Sequence, residues 1–539
     1  MDVYHKAEFS RRFVLLGAGA AFAAAPSIVR ANGSLSGFFD VTKFGAKGDG
    51  KTIDSPAINA AIAEAVKAGG GTVVVPKGHY LSFSIRLYDN ITLLLSEGAL
   101  IEAANPDVHG HHYDLPEGVY DEQFQDYGVS HFRNSLIYGL EATNVAVIGK
   151  GMIYGRGLDR EGPAPRWHGI KGFVSASSRG LDPHAARLAD PREAAYEGRA
   201  PHAVAFKSCR NIVVKDFTIL QGGHFALFFM GCEGIKAENL LLDTDRDGID
   251  LDCCKGAEII NCRVNTPKDD GIVMKSSFAY ETPVFCEDVV VKGCHTSGYL
   301  MGSVVAGNPQ PSPYMGPDDV GPFGRLKLGT DSVAGFRNIV YEDCLCEHGR
   351  GIQMGAIDGG VLEDVRFENI RLKDTVNHPF FVRLSARNRA PKTAGIASVR
   401  RVVIKDIEAT GVHGLYTSGI VGIPEKRIED VEISHIRIVS QGGGTAADAA
   451  RDIPERRTSS LEPSFMGTLP AHGLYIRHAN NVRVKNVSFE VERPDQRPAI
   501  AIDSADGVTV EGLRSPQAVD RAVVSVRAKN VKVSGVVQV

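Results

Sequence analysis

Asp245-Arg246-Asp247-Gly248-Ile249-Asp250 is followed, within one repeat length, by Pro267-Lys268-Asp269-Asp270-Gly271-Ile272. The two Asp-Gly-Ile triplets lie 23 residues apart (270 − 247). If that interval is one full coil of a repeating β structure, Asp247 and the pair Asp269 and Asp270 lie on neighbouring strands, about 4.8 Å apart. This stretch therefore predicts a repeat fold and a cluster of three carboxylates together.

Short apolar runs recur from about residue 140 onward at nearly the same interval. Ile235 follows Ile212 by 23 residues, and Ala257 follows Ile235 by 22. Each unit holds two or three β-branched stretches separated by Gly, Asn and Asp, with no helical pattern between them, which argues against βαβ units. The pattern predicts an all-β chain folded as a right-handed parallel β-helix, a solenoid.

The N-terminal part of the chain differs from the repeat. Paired arginines in Ser10-Arg11-Arg12 precede a short apolar run over 17–25, and Val29-Arg30-Ala31 is a plausible cleavage site. This arrangement resembles a twin-arginine leader and predicts a periplasmic or secreted protein; an ordinary secretory signal with a fortuitous arginine pair is the alternative.

A short helix is predicted next, with Ser55 as N-cap and Pro56 as its first residue, running through about Ala68. It is expected to cap the first coil, because a solenoid must cover its open edge. The predicted organisation is an export signal over 1–31, the cap and first coils over 32–105, and the β-helix with long loop insertions over 106–539.

The composition limits the partners of the chain. The net charge is −4 with 23% charged residues and no basic excess, so no nucleic acid partner is expected. No segment after the leader has about 18 uninterrupted apolar residues, so no membrane association is expected once the signal is removed. The oligomeric state is left open.

Seven of the nine cysteines fall at two repeated positions of the coils, and stacking would align them in two internal ladders. They are Cys209, Cys232, Cys254 and Cys286 at one position, and Cys262, Cys294 and Cys344 at the other. The favoured interpretation is that they are small buried apolar residues. Disulfide pairing is the alternative, since export permits it.

The three acids carry the predicted chemistry. Close carboxylates cannot all ionise at low cost, so at least one should have a raised pKa and serve as a proton donor beside proton acceptors. The Asp-Gly-Ile register makes Asp270 the equivalent of Asp247, whereas counting from the coil starts makes Asp269 the equivalent. One extra residue in a coil would reconcile the two registers. The alternative interpretation treats Asp-Gly-Ile as a turn motif.

Arg325 and Lys327 form the second candidate constellation. Separated by one residue, they share a face if the segment is a strand. Such a pair beside an acidic cluster predicts either a salt-bridge network or a site for a substrate carboxylate.

These motifs together resemble glycoside hydrolase family 28, the polygalacturonase and rhamnogalacturonase family of parallel β-helices. The opening 39–50 (FDVTKFGAKGDG) is similar to the start of such bacterial enzymes. The family's Asn-Thr-Asp motif corresponds to Asp245-Arg246-Asp247, and its Asp-Asp motif to Asp269-Asp270. Its Arg-Ile-Lys motif corresponds to Arg325-Leu326-Lys327. The resemblance extends from about residue 38 to at least residue 385.

Two positions depart from the family. Asp245 stands where the motif has asparagine, and the family's Gly-His-Gly is expected near Thr296-Ser297-Gly298, where Ser297 replaces the histidine. His295 is two residues away. These changes put ordinary polygalacturonase specificity in doubt but leave the acids in place.

The resemblance implies hydrolysis of α-linked, galacturonic-acid-containing (pectic) sugars with inversion, without a cofactor or metal. Asp269 would be the general acid, Asp247 and Asp270 would activate water, and Arg325 and Lys327 would bind the sugar, in particular its carboxylate.

Four long insertions interrupt the repeat, at about 105–135, 155–200, 305–324 and 440–470. They favour a cleft that is blocked at one end, and therefore exo-action; the alternative is that the loops lie around an open groove.

Two other functions are compatible with the same residues. A calcium-dependent pectate lyase would use the acids as metal ligands and Arg325 as base in a β-elimination. A non-catalytic polysaccharide-binding β-helix would use the same surface without turnover.

Overall fold

The computed structural model describes residues 37–117, 131–159, 198–280, 282–388 and 395–539. The predicted export signal over 1–31 lies outside the described residues. Of the helices in the described ranges, none is long and apolar enough to cross a membrane.

The described residues form 38 strands. In chain order they are β1 (Phe38–Asp40), β2 (Asp49–Ile53), β3 (Gly71–Val75), β4 (Gly78–Ser82), β5 (Ile85–Leu87), β6 (Ile91–Leu95), β7 (Ala99–Ala103), β8 (Ser135–Leu140), β9 (Thr143–Ile148), β10 (Met152–Tyr154), β11 (His202–Lys207), β12 (Arg210–Lys215), β13 (Thr218–Leu220), β14 (Phe225–Met230), β15 (Glu233–Glu238), β16 (Leu241–Asp243), β17 (Asp247–Asp252), β18 (Lys255–Ile260), β19 (Arg263–Asn265), β20 (Ile272–Ser276), β21 (Cys286–Lys292), β22 (His295–Ser297), β23 (Leu326–Ser332), β24 (Gly335–Glu342), β25 (Leu345–Glu347), β26 (Ile352–Ala356), β27 (Val361–Lys373), β28 (Phe380–Leu384), β29 (Ser398–Val412), β30 (Ser418–Val421), β31 (Ile428–Gly442), β32 (Leu474–Arg477), β33 (Ala479–Arg493), β34 (Ile500–Asp503), β35 (Asp506–Ser515), β36 (Val523–Val526), β37 (Lys532–Ser534) and β38 (Val537–Gln538).

Two long parallel sheets run the length of the molecule, one of 13 strands and one of 25. Each central coil gives one strand to the 13-stranded sheet and two to the 25-stranded sheet, as β17, β18 and β19 do. From β27 to β35 the two strands of the larger sheet join into one long strand, which in β27 pairs with both β24 and β25. Parallel coils of this kind confirm the predicted β-helix.

The core lies inside the coils, where equivalent apolar side chains stack directly on one another. One ladder of register partners runs through ten successive strands, and no member is more than 3% exposed: Ile212, Ile235, Ala257, Val289, Ile339, Val365, Val402, Val431, Val482 and Val508. A fully buried aliphatic side chain contributes about 1.5–3 kcal/mol, so this repeated position is a main source of stability.

The predicted cap is a helix, α1 (Ser55–Lys67), that packs Ile58, Ala61 and Ile62 against the first strands. Its start differs by one residue from the prediction, because Ser55 is already helical and Asp54 is the N-cap. The Asp54 carboxylate accepts hydrogen bonds from the backbone of Lys47 and Gly48 instead of capping the helix. Two short helices, α2 (Pro106–His109) and α3 (Ala446–Ala449), lie in the insertions.

All four predicted insertions interrupt the repeat at the same corner. They lead into β8, β11, β23 and β32, which all belong to the 13-stranded sheet. The parts over 118–130 and 160–197 lie outside the described residues. Because the insertions share one corner, their described segments gather on one side of the solenoid.

All nine cysteines are buried and none forms a disulfide. Burial raises the pKa of the Cys232, Cys253 and Cys254 thiols, so they stay protonated and unreactive. The prediction that the cysteines act as small apolar residues is confirmed.

We therefore expect the native protein to react with less than one equivalent of a thiol reagent such as dithionitrobenzoate. In guanidinium chloride all nine thiols should react, because unfolding exposes both ladders. Mass spectrometry of the alkylated, unreduced protein is the control. Fewer than nine alkylated sites after denaturation would mean that some thiols are paired, and the burial argument would then be wrong.

Candidate active site

The three predicted acids come together at the corner where the insertions enter. Asp247 is the first residue of β17, and Asp269 and Asp270 lie in the turn between β19 and β20. One carboxylate oxygen from each lies within 4.8 Å of the others. The backbone N–H of Asp270 points at Oδ1 of Asp247 and Oδ1 of Asp269, at 3.3 and 3.1 Å.

Both registers inferred from the sequence occur, on either side of this turn. In the larger sheet Asp243 pairs with Asn265, an offset of 22, whereas in the smaller sheet Ile249 pairs with Ile272, an offset of 23. The turn 266–271 is therefore one residue longer than its equivalent, 244–248, in the preceding coil. This segment is a turn, so its side chains do not alternate between opposite faces as they would in a strand. The carboxylates of Asp269 and Asp270 therefore both lie close to that of Asp247.

Asp269 is the most accessible of the three acids, with 23% of its side chain exposed. Its Oδ2 lies 3.0 Å from Nη2 of Arg246. Burial, followed by the neighbouring Asp247 carboxylate, raises the pKa of Asp269 to about 8 against the opposing effect of Arg246. At neutral pH Asp269 is therefore largely a neutral acid that can donate a proton.

Asp270 has the opposite character. Arg325 Nε donates to Oδ1 at 2.5 Å and Lys327 Nζ donates to Oδ2 at 2.7 Å. Burial alone would raise the pKa of this carboxyl, but the two cations outweigh it and hold the pKa well below the usual range. Asp270 is a permanent carboxylate.

Asp247 carries a cation of its own. Lys275, from β20, donates to its Oδ2 at 2.9 Å and also to Asp250, while its ammonium lies 4.6 Å from the centre of the Phe225 ring. The cluster thus places one protonated acid, Asp269, beside two acids that are each paired with at least one cation of the protein.

Arg325 and Lys327 occupy the coil that stacks on the acids, since the Arg325 carbonyl accepts the backbone N–H of Gly271 at 2.9 Å. Their side chains are only 3% and 7% exposed. Of the two predicted uses, the structure shows the salt-bridge network: besides Asp270, Arg325 binds Glu462 from the insertion that precedes β32.

The segment expected to hold the family's histidine stacks on the strand that leads into the turn with Asp269 and Asp270. Ser297 ends β22 in the larger sheet, and its buried hydroxyl donates to Asn265 at 2.9 Å. His295 binds Glu347 on the neighbouring coil at 3.0 Å. The described coil that stacks on this turn from the smaller sheet presents Arg325, while Ser297 and His295 contact Asn265 and Glu347.

Several site residues are not predicted by the sequence pattern. Arg246 lies between two acids of the first motif without a predicted role, and Lys275 lies in a strand that looks purely structural. Glu462 is 137 residues from Arg325, inside an insertion without repeat. A polar residue in an otherwise apolar strand is a usable signal for Lys275, but no local pattern points to Glu462.

Comparison with known sequences finds relatives that are named as a polygalacturonase and a galacturonosidase. A sequence profile of the family described as "Rhamnogalacturonase A/epimerase, pectate lyase-like" matches residues 38–98. The chain is 22% identical to a probable polygalacturonase of Vitis vinifera over 458 residues, 80% of each chain. It is 24% identical to an exo-poly-alpha-D-galacturonosidase of Dickeya chrysanthemi over 247 residues, covering 43% of this chain and 40% of that protein.

Solved structures support the fold. An exopolygalacturonase from Thermotoga maritima superposes with a TM-score of 0.59 at 20% identity, covering 85% of this chain and 92% of that one. A family 28 exopolygalacturonase from Yersinia enterocolitica gives 0.56 at 17% identity, covering 92% and 78%. The predicted right-handed parallel β-helix is thereby confirmed.

The different charge states of Asp269 and Asp270 predict opposite effects on stability. Asp270→Asn leaves Arg325 and Lys327 without their shared carboxylate, so the free energy of unfolding should fall by about 3–5 kcal/mol. Asp269→Asn should leave it unchanged or raise it at pH 7. The raised pKa means that the folded state takes up a proton that the unfolded state lacks, and this cost is lost in the variant.

Urea denaturation at pH 7, followed by circular dichroism, measures both variants against the parent chain. Equal destabilisation by the two substitutions would contradict the assigned charge states.

Proposed function

We propose that this chain, a glycoside hydrolase family 28-like protein with the parallel β-helix fold, hydrolyses α-linked galacturonic-acid-containing sugars of the pectic type. The observation that carries the proposal is the difference between three acids that lie within 4.8 Å of one another: Asp269 is a proton donor, Asp270 is an ionised carboxylate, and Asp247 is paired with Lys275. Likeness to a probable polygalacturonase and an exo-poly-alpha-D-galacturonosidase supports the choice of substrate.

Each acid has a proposed step. Asp269 donates its proton to the glycosidic oxygen as the bond from that oxygen to the anomeric carbon breaks. A water molecule attacks the anomeric carbon and gives its proton to the carboxylate of Asp247 or Asp270. Arg325 and Lys327, proposed from the sequence to bind sugar, hold Asp270 ionised and in place.

Inversion at the anomeric carbon is part of the proposal, as the family resemblance implies. Retaining enzymes place their two carboxyl groups about 5–5.5 Å apart, on either side of the reacting bond, and inverting enzymes about 6.5–9.5 Å apart. The three acids of this site lie within 4.8 Å of one another, nearer the retaining range, so inversion is proposed on the family resemblance alone, with the attacking water held beside Asp247 or Asp270. Proton NMR of the freshly released product distinguishes the two outcomes.

An exo mode of action is proposed from the insertion over 443–473. It lies across the outer face of the smaller sheet and buries Ile453, Met466 and Leu469 against Phe381 and Tyr475. This packing covers the coils on one side of the acids, so a polymer cannot pass along the whole sheet. The arrangement favours removal of sugars from a chain end.

The calcium-lyase alternative is disfavoured by charge. The oxygen atoms of the three acids are close enough to surround a cation, but Lys275, Arg325 and Lys327 already neutralise Asp247 and Asp270. A divalent ion would have to displace these buried ammonium and guanidinium groups.

We also propose export to the periplasm or the medium, on the strength of the leader-like sequence ahead of residue 32.

The central prediction is that Asp269→Asn abolishes turnover while leaving the fold and sugar binding intact, because only the proton donor is lost. Turnover is measured as new reducing ends from galacturonic-acid oligosaccharides, and binding by calorimetry. Asp245→Asn, which places the family's own asparagine two residues from Asp247, is the matched control and should retain activity.

Near-normal turnover by Asp269→Asn would overturn the assignment. Ultraviolet-absorbing unsaturated products that disappear with a chelator would indicate a lyase. Tight binding of the whole oligosaccharide panel by the parent chain without any product would indicate a binding protein.

The raised pKa of Asp269 predicts the alkaline side of the pH profile. The donor must be protonated, so kcat/KM should stay high at neutral pH and fall as the pH rises through about 8. The Arg246 guanidinium lowers the pKa of Asp269, so Arg246→Gln should move this fall to higher pH. Lys268→Gln, which removes a nearby cation bound to Asp245, is the control; an unmoved profile in Arg246→Gln would contradict the assignment.

A further inference from the structure

The Glu462 carboxylate binds two arginines of the site at once. Arg325 donates to it from both terminal nitrogens, from Nη2 at 2.5 Å and from Nη1 at 3.2 Å, and Arg350 Nη1 donates to Glu462 Oε2 at 3.1 Å. Two-nitrogen binding of a carboxylate is how arginine recognises a uronic acid or any other carboxylate ligand. Glu462 therefore occupies the position that a substrate carboxylate would take on Arg325.

The cations of this part of the site are already matched by protein acids. Arg325 and Lys327 share Asp270, while Arg350 binds Asp318 through two hydrogen bonds of 2.7 and 2.9 Å. With Glu462 the group holds three cations and three carboxylates. The guanidinium carbons of Arg325 and Arg350 lie over the Phe323 ring, 4.9 and 3.7 Å from its centre.

Glu462 is held in place by its neighbours in the insertion. Leu461 lies over Gly329 and Gly355, where an added Cβ would come within 2.3 and 2.5 Å of its methyl groups. Its carbonyl accepts a hydrogen bond of 2.8 Å from Gln353. Ser464 donates to Asp318 at 2.8 Å and so ties this insertion to the one that precedes β23.

We infer that Glu462 is a specificity-determining residue, and that the sugar bound beside it is one without a carboxylate. A uronate at this position would add a fourth carboxylate to three cations in a water-poor site, and an unpaired buried charge is strongly disfavoured. A neutral sugar meets no such cost, and its hydroxyl groups can donate to the exposed part of the Glu462 carboxylate, whose side chain is 22% exposed.

The inference rests on the proposed function and makes it narrower. Cleavage at the acids then requires a polymer in which a neutral sugar accompanies galacturonic acid, as in rhamnogalacturonan. A polymer made only of galacturonic acid should be a poorer substrate.

The experiment compares kcat/KM on rhamnogalacturonan and homogalacturonan oligosaccharides of matched length. The parent chain should favour the mixed oligosaccharide by at least tenfold. Glu462→Gln removes the built-in charge and leaves three cations with two carboxylates, so this preference should fall at least tenfold, through better use of homogalacturonan. Glu455→Gln is the matched control, because Glu455 lies in the same insertion but binds Arg477 and His478; its preference should equal that of the parent.

A parent chain that prefers homogalacturonan overturns the inference without needing any variant, so a misfolded Glu462→Gln protein does not block the test. An unchanged preference in a folded Glu462→Gln protein also overturns it. In both cases the hydrolase proposal stands, because sugar is still cleaved. Absence of cleavage of either oligosaccharide removes the proposed function itself.

Discussion

Parallel stacking of successive coils in fixed register is the constraint on which everything else depends. Each strand exchanges backbone hydrogen bonds with the next, so the side chain at a given position lies about 4.8 Å from its equivalents on the neighbouring coils. Inside the coil this rule creates ladders such as the one from Ile212 to Val508. At the corner it brings Asp247, Asp270 and Arg325 together from three coils, although 78 residues (325 − 247) separate the first from the last.

The same closeness would make the three carboxylates repel one another if all were ionised. The site avoids this because Asp269 and Asp270 have different numbers of cation partners. Asp270 is paired with two cations, Arg325 and Lys327, and stays ionised. Asp269 is paired only with Arg246, lies beside Asp247 and keeps its proton. The difference in pKa between these two neighbouring aspartates therefore comes from the side chains of the adjacent coils and not from the aspartates themselves. A turn alone, without the neighbouring coils, would give two equivalent aspartates.

The sequence was informative wherever the signal repeats. The period of 22–23 residues indicated the solenoid, the cysteine ladders and the three acids, because a repeat fold converts sequence interval directly into distance. The helix begins one residue earlier than predicted, with Asp54 as its N-cap, and no local pattern announced that the Asp54 side chain would bind the backbone of Lys47 and Gly48. Glu462 could not be predicted, because its insertion has no period and its position depends on how it packs over β23 and β26.

The turns at this corner differ in length while the strands around them keep their register. Leu220 pairs with Asp243 and Phe225 with Asp247, so the turn between β16 and β17 is one residue shorter than the turn of the preceding coil. The turn that carries Asp269 and Asp270 returns to the longer form, because Asp243 pairs with Asn265 and Ile249 with Ile272. A corner of the solenoid can therefore change its length, and with it the acids it presents, on strands whose pairing stays the same.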